Sequence, residues 1–269
     1  MRGVFSAGVL DVFLEGGFDP FDLAIGVSAG ACNLASHLAG QHGRNRRSYF
    51  DLMTRREFID RGRFLRRRSV VDLDWLWNAL AECEPLDVMA IARRDVEFIV
   101  VATLRQTGLP VYLRPGPDEM SDALKASSAL PVLYRPDVAV GGVRLVDGGV
   151  SDPIPVEEAY RRGARRILVV RTRPALSVKT NTLTVRAMAW LLRREPALAT
   201  AVLATATCYQ RSVAFLHAPP PDCEILQVAP PVPLATKRTT QTRAALERDY
   251  ALGRTLGADA IGRWSATAL

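Results

Sequence analysis

FDLAIGVSAGACNLASHLAG, residues 21–40, is the stretch on which the reading of the fold turns. FDLAIG (21–26) is a short apolar run with the pattern of a buried strand. VSAGACNLASHLAG (27–40) is rich in small and apolar residues and predicts a helix packed tightly on a sheet, closed by Gly40 and Gly43. Gly26-Val27-Ser28-Ala29-Gly30 between them is a GxSxG. A serine set between a strand and a helix has the arrangement of a nucleophile elbow, in which a strained turn lifts the hydroxyl above the sheet edge. Gly26 and Gly30 are expected to keep side chains out of the close approach of strand and helix. The helix N-terminus offers amides and positive potential to an oxyanion. The plainer alternative is a small-residue turn with a capping serine.

Outward from this unit, strands and helices alternate. Val4, Gly8, Leu10, Phe13 and Leu14 sit at helical spacing, so 4–15 reads as a helix ended by Gly16-Gly17. Asp72 is placed to cap a helix carrying Leu73, Leu76 and Leu80. EFIVVATL (97–104) is a strand, PVYLR (110–114) its hairpin partner, and SDALKASSAL (121–130) a helix with Ser121 as cap. VAVGGVRLVDGG (138–149) reads as two strands around a Gly-Gly turn. PVEEAYRRG (155–163) is a helix, and RRILVVRTR (165–173) and CEILQV (223–228) are strands. Two helices, 183–194 and 197–215, divide at Pro196, and a last helix fills 240–261. The alternation predicts the α/β class, a three-layer α/β/α arrangement with a mostly parallel central sheet. One domain, 1–269, is expected, with its core in 2–174 and C-terminal helices and a last strand in 183–262.

The chain has 269 residues, 48% of them hydrophobic and 23% charged, with a net charge of +7. This excludes global disorder and leaves room for a core that needs no disulfide or metal staple. Cys32, Cys83, Cys208 and Cys223 form no CxxC pair and have no zinc-spaced histidine, so neither a metal site nor a disulfide framework is expected. Neither GxxxxGK[ST] nor HExxH occurs, and no nucleotide or other cofactor is expected. No secretory signal and no uncharged apolar run of spanning length is read, so the expected location is cytoplasmic.

Residues 44–68 hold ten arginines against Asp51, Glu57 and Asp60, interleaved with Tyr49, Phe50, Leu52, Met53, Phe58, Ile59, Phe64 and Leu65. Docking on anionic phospholipid is the functional reading, with the apolar groups dipping into the interface at the inner face of the membrane. A solvated helix face is the plain one. No nucleic-acid partner is expected, because no helix-turn-helix, zinc-finger or RNP pattern accompanies the basic run. Trp75 and Trp77, beside it, are expected to pack in the core, the alternative being interface anchors.

A serine nucleophile needs a base. His37 stands nine residues on from Ser28, about 13 Å along the same helix, and His42 lies further still. His217, in an expected loop, is the one histidine that a Ser…Asp…His order allows, though a surface loop histidine is its simpler reading. Asp147-Gly148-Gly149 is the stronger signal, an acid at the end of a strand, where α/β sheets gather catalytic groups. A desolvated carboxylate beside a serine can take its proton directly. A turn aspartate is the alternative. Asp152, before Pro153, reads as a turn residue, and Ser127 and Ser128 lack the SxxK spacing.

RGVFSAGVLD (2–11), GVSAG (26–30), KASSALPVLYRP (125–136) and the stretch from VDGG (146–149) to 174 together resemble the patatin-like phospholipase family, in its bacterial branch. The resemblance covers most of 2–174, with a vaguer fit to about 262. It implies an α/β/α fold, a Ser–Asp dyad without histidine, hydrolysis of acyl lipids, and no cofactor. Ser28 matches the family's nucleophile and Asp147 its base, within the GxSxG of Gly26 and Gly30 and the DGG of Gly148 and Gly149. The family's glycine-rich oxyanion loop is represented only by Arg2 and Gly3. A start site upstream of Met1 is therefore expected. The alternative is a catalytically impaired homologue that binds lipid or serves as a scaffold.

Overall fold

The computed structural model describes residues 1–66, 68–178 and 180–266. Helix α1 (Val4–Glu15) leads to strand β1 (Leu23–Val27), and after Ser28 the chain enters α2 (Ala29–Leu38). The arginine-rich segment forms α3 (Arg44–Arg47), a π-helical turn (Ser48–Leu52) and a 3-10 turn (Arg61–Arg66). Helices α4 (Leu73–Cys83) and α5 (Val88–Ala92) precede β2 (Glu97–Leu104), β3 (Pro110–Leu113), α6 (Met120–Ser128), β4 (Val138–Val140) and β5 (Val143–Asp147). Then follow α7 (Val156–Arg161), β6 (Arg166–Val170), α8 (Leu183–Leu191), α9 (Pro196–His217), β7 (Glu224–Val228) and α10 (Arg243–Ala266).

Helices and a mixed sheet give the expected α/β/α class. The sheet is less parallel than the alternation of elements suggests. Among the described residues, β1 pairs parallel to β2 and β6 parallel to β7, while β3 and β5 flank β2 antiparallel and β4 pairs antiparallel to β5. Short connections dictate this. Gly141 and Gly142 both have positive φ, 55° and 78°. Such a two-residue turn matches the strand twist and folds β4 back on β5. The strands fall into a five-stranded sheet and a two-stranded one. A cavity lined by both β1 and β6 separates them.

β2 holds the larger sheet together. Ile99, Val100, Val101 and Ala102 have no exposed surface, as a strand covered on both faces requires. Asp72 caps α4 as expected, accepting the Trp75 amide at 3.0 Å. Ser121 does not cap α6, whose helical backbone already begins at Met120 after Glu119.

The C-terminal helix lies along the first one, and α1 and α10 touch through glycines. A Cβ on Gly253 would stand 2.0 Å from the Phe5 carbonyl oxygen, and one on Gly8 2.2 Å from that of Tyr250. The buried Asp11 carboxylate accepts the Tyr250 hydroxyl at 2.6 Å and the Gly43 amide at 3.1 Å, tying α1, α3 and α10 together. At the far end Arg254 donates to both oxygens of Glu15 at 2.7 Å.

Gly253→Ala drives a methyl into backbone that cannot yield, and overpacking of this kind costs about 1–3 kcal/mol, or several degrees of Tm. Gly262→Ala on the same helix meets open space. It should hold or raise the Tm, because alanine is about 1 kcal/mol better than glycine inside a helix. Thermal unfolding of the two variants reads the contrast, and equal losses would contradict this packing. The Arg254 and His42 side chains hold the Glu15 carboxyl down at about 2 against an ordinary 4.5. A depressed acid stabilises above its unfolded value and loses that contribution as pH falls through its folded one. The Tm deficit of Glu15→Gln should therefore be present at neutral pH and shrink between pH 4.5 and 2. Exposure of the pair keeps that deficit small.

Candidate active site

Ser28 is one of two non-glycine residues with positive φ among those described (φ 53°, ψ −128°). Such a backbone costs energy and persists only where its surroundings enforce it. Here they do so on three sides. The Ser28 amide donates to the Ser127 hydroxyl at 2.7 Å, and its carbonyl accepts the amides of Ala31 and Cys32 at 2.9 and 3.3 Å. Gly26 permits the close approach behind it, since a Cβ there would lie 2.4 Å from the Ala31 Cα. Gly30 does not share this task, because a Cβ on it meets nothing within 4 Å.

The Ser28 hydroxyl donates to Asp147 Oδ2 at 2.7 Å. The strand register explains the meeting. Val27 pairs with Val101, and Asp147 pairs with the next residue of β2, Ala102. β1 and β5 run in opposite directions along the same edge of β2, with β3 on its other edge, and both end at this level. Ser28 follows the carboxyl end of β1 and Asp147 is the last residue of β5, and the two strand ends approach head-on.

Asp147 is buried and held from all sides. Its Oδ1 accepts the Gly149 amide at 2.7 Å, its amide donates to Ala129 O at 3.0 Å, and its carbonyl accepts the Thr103 hydroxyl at 2.9 Å. Gly148 has no room for a side chain, since a Cβ would sit 2.2 Å from the Val101 carbonyl oxygen. On Gly149 a Cβ would press on Asp147 Oδ1 at 2.9 Å.

Gly3 and Arg2 stand beside this pair. A Cβ on Gly3 would lie 2.1 Å from the Tyr49 hydroxyl and 2.9 Å from the Ala29 Cβ. The Gly3 carbonyl accepts Asn33 Nδ2 at 2.7 Å, which fixes the start of α1 against α2. Arg2, Gly3, Ser28, Asp147 and Gly149 all line one cavity of about 1670 Å³. Near Asp147 its wall is apolar and includes Val132, Val150, Val185 and Met188.

The histidines lie elsewhere. None of the three lines the cavity. His37 is buried against Phe13, and burial pushes its pKa down. His42 bonds Glu15 at 2.7 Å. His217 is the last residue of α9, exposed and facing the Ala175 carbonyl, not a loop residue. Asp152 accepts the Tyr112 hydroxyl at 2.7 Å, and its amide bonds back to Gly148 in the turn.

Ser127 is the residue that motif reasoning passed over. Fully buried, it accepts from the Ser28 amide and donates to Val101 O at 2.6 Å, linking the elbow to β2. Only its place in KASSALP could have pointed to it.

The arginine-rich segment differs from expectation. Tyr49, Phe50, Leu52, Phe58 and Ile59 are in the core, so they have nothing to offer an interface. Arg44 is buried and donates to Ser36 Oγ and Glu84 O. Arg47 grips both Glu84 oxygens, and Arg56 and Arg63 lie near Asp60 and Asp72. Arg67 and the side chains of Phe64 and Leu65 lie outside the described residues.

Comparison with known proteins adds to this geometry. The family model described as patatin-like phospholipase matches residues 1–160, and one described as a domain of unknown function (DUF6363) matches 195–267. The chain is 38% identical over 261 residues to the uncharacterized protein YjjU of Escherichia coli strain K12, covering 95% of this chain and 73% of that protein. It is 28% identical over 163 residues to the uncharacterized NTE family proteins Mb1092c of Mycobacterium bovis and Rv1063c of Mycobacterium tuberculosis H37Rv. That match covers 58% of this chain and 41% of each of those proteins. A family match over more than half of its length means that the chain belongs to the patatin-like phospholipase family.

Proposed function

We propose that the chain is a serine acyl hydrolase that cleaves phospholipid or related acyl esters through a Ser28–Asp147 dyad. The observation that carries this reading is the 2.7 Å bond from a strained serine hydroxyl to a buried carboxylate, made across 119 positions of sequence. The Ser28 oxygen attacks the ester carbonyl as Asp147 Oδ2 takes its proton. The tetrahedral oxyanion forms beside the first turn of α2, where a helix leaves amides without intrahelical partners and presents positive potential. Ala29 and Gly30 supply those amides, and Arg2 and Gly3 border the same space. Collapse of the intermediate expels the alcohol, which receives the proton from Asp147 and leaves the acyl group on Ser28. Water, deprotonated by the same carboxylate, then attacks the acyl-enzyme. Collapse releases the fatty acid and returns the proton to Ser28. Each step uses only protein groups and water, so no metal or organic cofactor is called for.

The apolar wall next to Asp147 suits an acyl chain. No helix among the described residues is long and apolar enough to cross a membrane. The same reading sets the enzyme at the cytoplasmic face, meeting its substrate from outside the bilayer. We also read 1–269 as one unit, because α10 packs along the whole of α1.

Hydrolysis of a p-nitrophenyl ester tests the dyad. Ser28→Ala should abolish turnover, and Asp147→Asn should lower kcat about 10²–10⁴-fold, the usual contribution of a positioned base. His217→Ala should leave it unchanged. Ser127→Ala, which releases the elbow amide, should cost about tenfold in kcat with little change in KM. Turnover that survives Ser28→Ala, or that stays at the unsubstituted level in Asp147→Asn, overturns the reading, and loss in His217→Ala would replace the dyad by a triad.

A further inference from the structure

We infer that α8 and the loop before it form the surface by which this protein docks on an anionic phospholipid bilayer. The inference rests on the acyl-lipid reading of the cavity and adds where the bilayer is met. Residues 173–194 contain Arg173, Lys179, Arg186, Arg193 and Arg194 and no Asp or Glu. The same stretch holds the most exposed apolar side chains among the described residues. Leu176, Val178, Leu183 and Trp190 are 84%, 70%, 83% and 62% exposed. Clustered apolar side chains left in water mark an interaction surface.

α8 has two faces. Ala189 and Leu192 pack with Val150, Leu198 and Val202, next to the DGG turn. Val185, Met188 and Leu191 line the cavity that also holds Ser28 and Asp147. Leu183 and Trp190 are exposed and are not among the residues that line that cavity. Arg186, Arg193 and Arg194 are exposed and make no carboxylate pair among the described residues. The Arg193 guanidinium lies over the Trp190 ring at 4.3 Å, an aromatic and a cation presented together.

The charge pattern selects the occupant. Apolar and aromatic side chains that insert into the headgroup boundary, ringed by basic groups that meet phosphates, fit an anionic lipid surface. Indole rings favour that same depth. Docking in this way sets the wall of the catalytic cavity against the source of acyl chains. In 44–68 the described Tyr49, Phe50, Leu52, Phe58 and Ile59 are in the core and are not presented beside the arginines.

The test uses the full chain carrying Ser28→Ala, sedimented with vesicles of phosphatidylcholine containing phosphatidylglycerol or of phosphatidylcholine alone. Binding should need the anionic lipid. Leu176→Ser/Leu183→Ser/Trp190→Ser and, separately, Arg186→Ala/Arg193→Ala/Arg194→Ala should each weaken it about tenfold or more, since each basic group near an anionic surface counts for about fivefold. Arg55→Ala/Arg56→Ala/Arg66→Ala should change it less than about threefold on the same scale. Trp190 emission should shift to the blue on vesicles, and Trp190→Phe should lose the shift while still binding. Absence of binding, full binding by both α8 variants, or loss confined to the 55/56/66 variant overturns the inference. So does a vesicle-independent dimer that needs Trp190, which would assign the face to a second copy of the chain. The α8 substitutions made in the Ser28 background should keep their turnover of a soluble p-nitrophenyl ester, which shows that they fold. Soluble-ester turnover without vesicle binding overturns only this inference, whereas vesicle binding without turnover overturns only the hydrolase reading.

Discussion

One hydrogen bond, from the Ser28 hydroxyl to Asp147, organises the site, and the fold supplies what that bond needs. The partners arrive on different strands running in opposite directions, and only the register of β2 brings them level. β2 is accordingly the most completely buried strand. Two of its residues serve the pair by their side chain or backbone: the Thr103 hydroxyl bonds the Asp147 carbonyl, and the Val101 carbonyl receives Ser127. Val101 also leaves no space beside Gly148, so the DGG turn is pinned where it begins. A strained serine backbone and a desolvated carboxylate are both costly in isolation. Here the cost is offset by the hydrogen bonds that Ser127, Ala31 and Cys32 make to Ser28 and that Gly149, Thr103 and Ala129 make to Asp147.

The elbow was legible in the sequence because its signal is local. A short apolar run, a serine between glycines and a small-residue helix lie within twenty positions, and Gly26 is required by contact with Ala31. Asp147 was legible as the acid of a D-G-G after a strand. The two hairpins were legible too, but the antiparallel meeting of β5 with β2 was not, because alternation of elements says nothing of how distant strands point. The glycine turn at 141–142 fixes β4 against β5 and leaves open how β5 meets β2. Ser127 was invisible to motif logic, since its role depends on a helix from elsewhere in the chain reaching the elbow. Gly30 shows the reverse, a motif position with no steric need for glycine in this structure.

Charge was the least reliable guide. The ten arginines of 44–68 draw the eye, yet the segment winds through a π-helical turn and a 3-10 turn with no single period from which an outward face could be read. Tyr49 and Phe50 fill the core beside α1 and α10, Leu52, Phe58 and Ile59 pack against α4, and several arginines bond Glu84 and backbone. The weaker basic stretch at 173–194 is the one that leaves leucines and a tryptophan in water beside the cavity. Burial, which sequence alone does not give, separates the two.

Labelling with a fluorophosphonate, which phosphonylates only an activated serine, puts the central claim to its most direct trial. Peptide mapping by mass spectrometry should find a single adduct on Ser28 in the native chain and none when Asp147 is replaced by Asn. No adduct, or an adduct on another serine such as Ser127, would contradict the assignment of Ser28 and Asp147 as nucleophile and base.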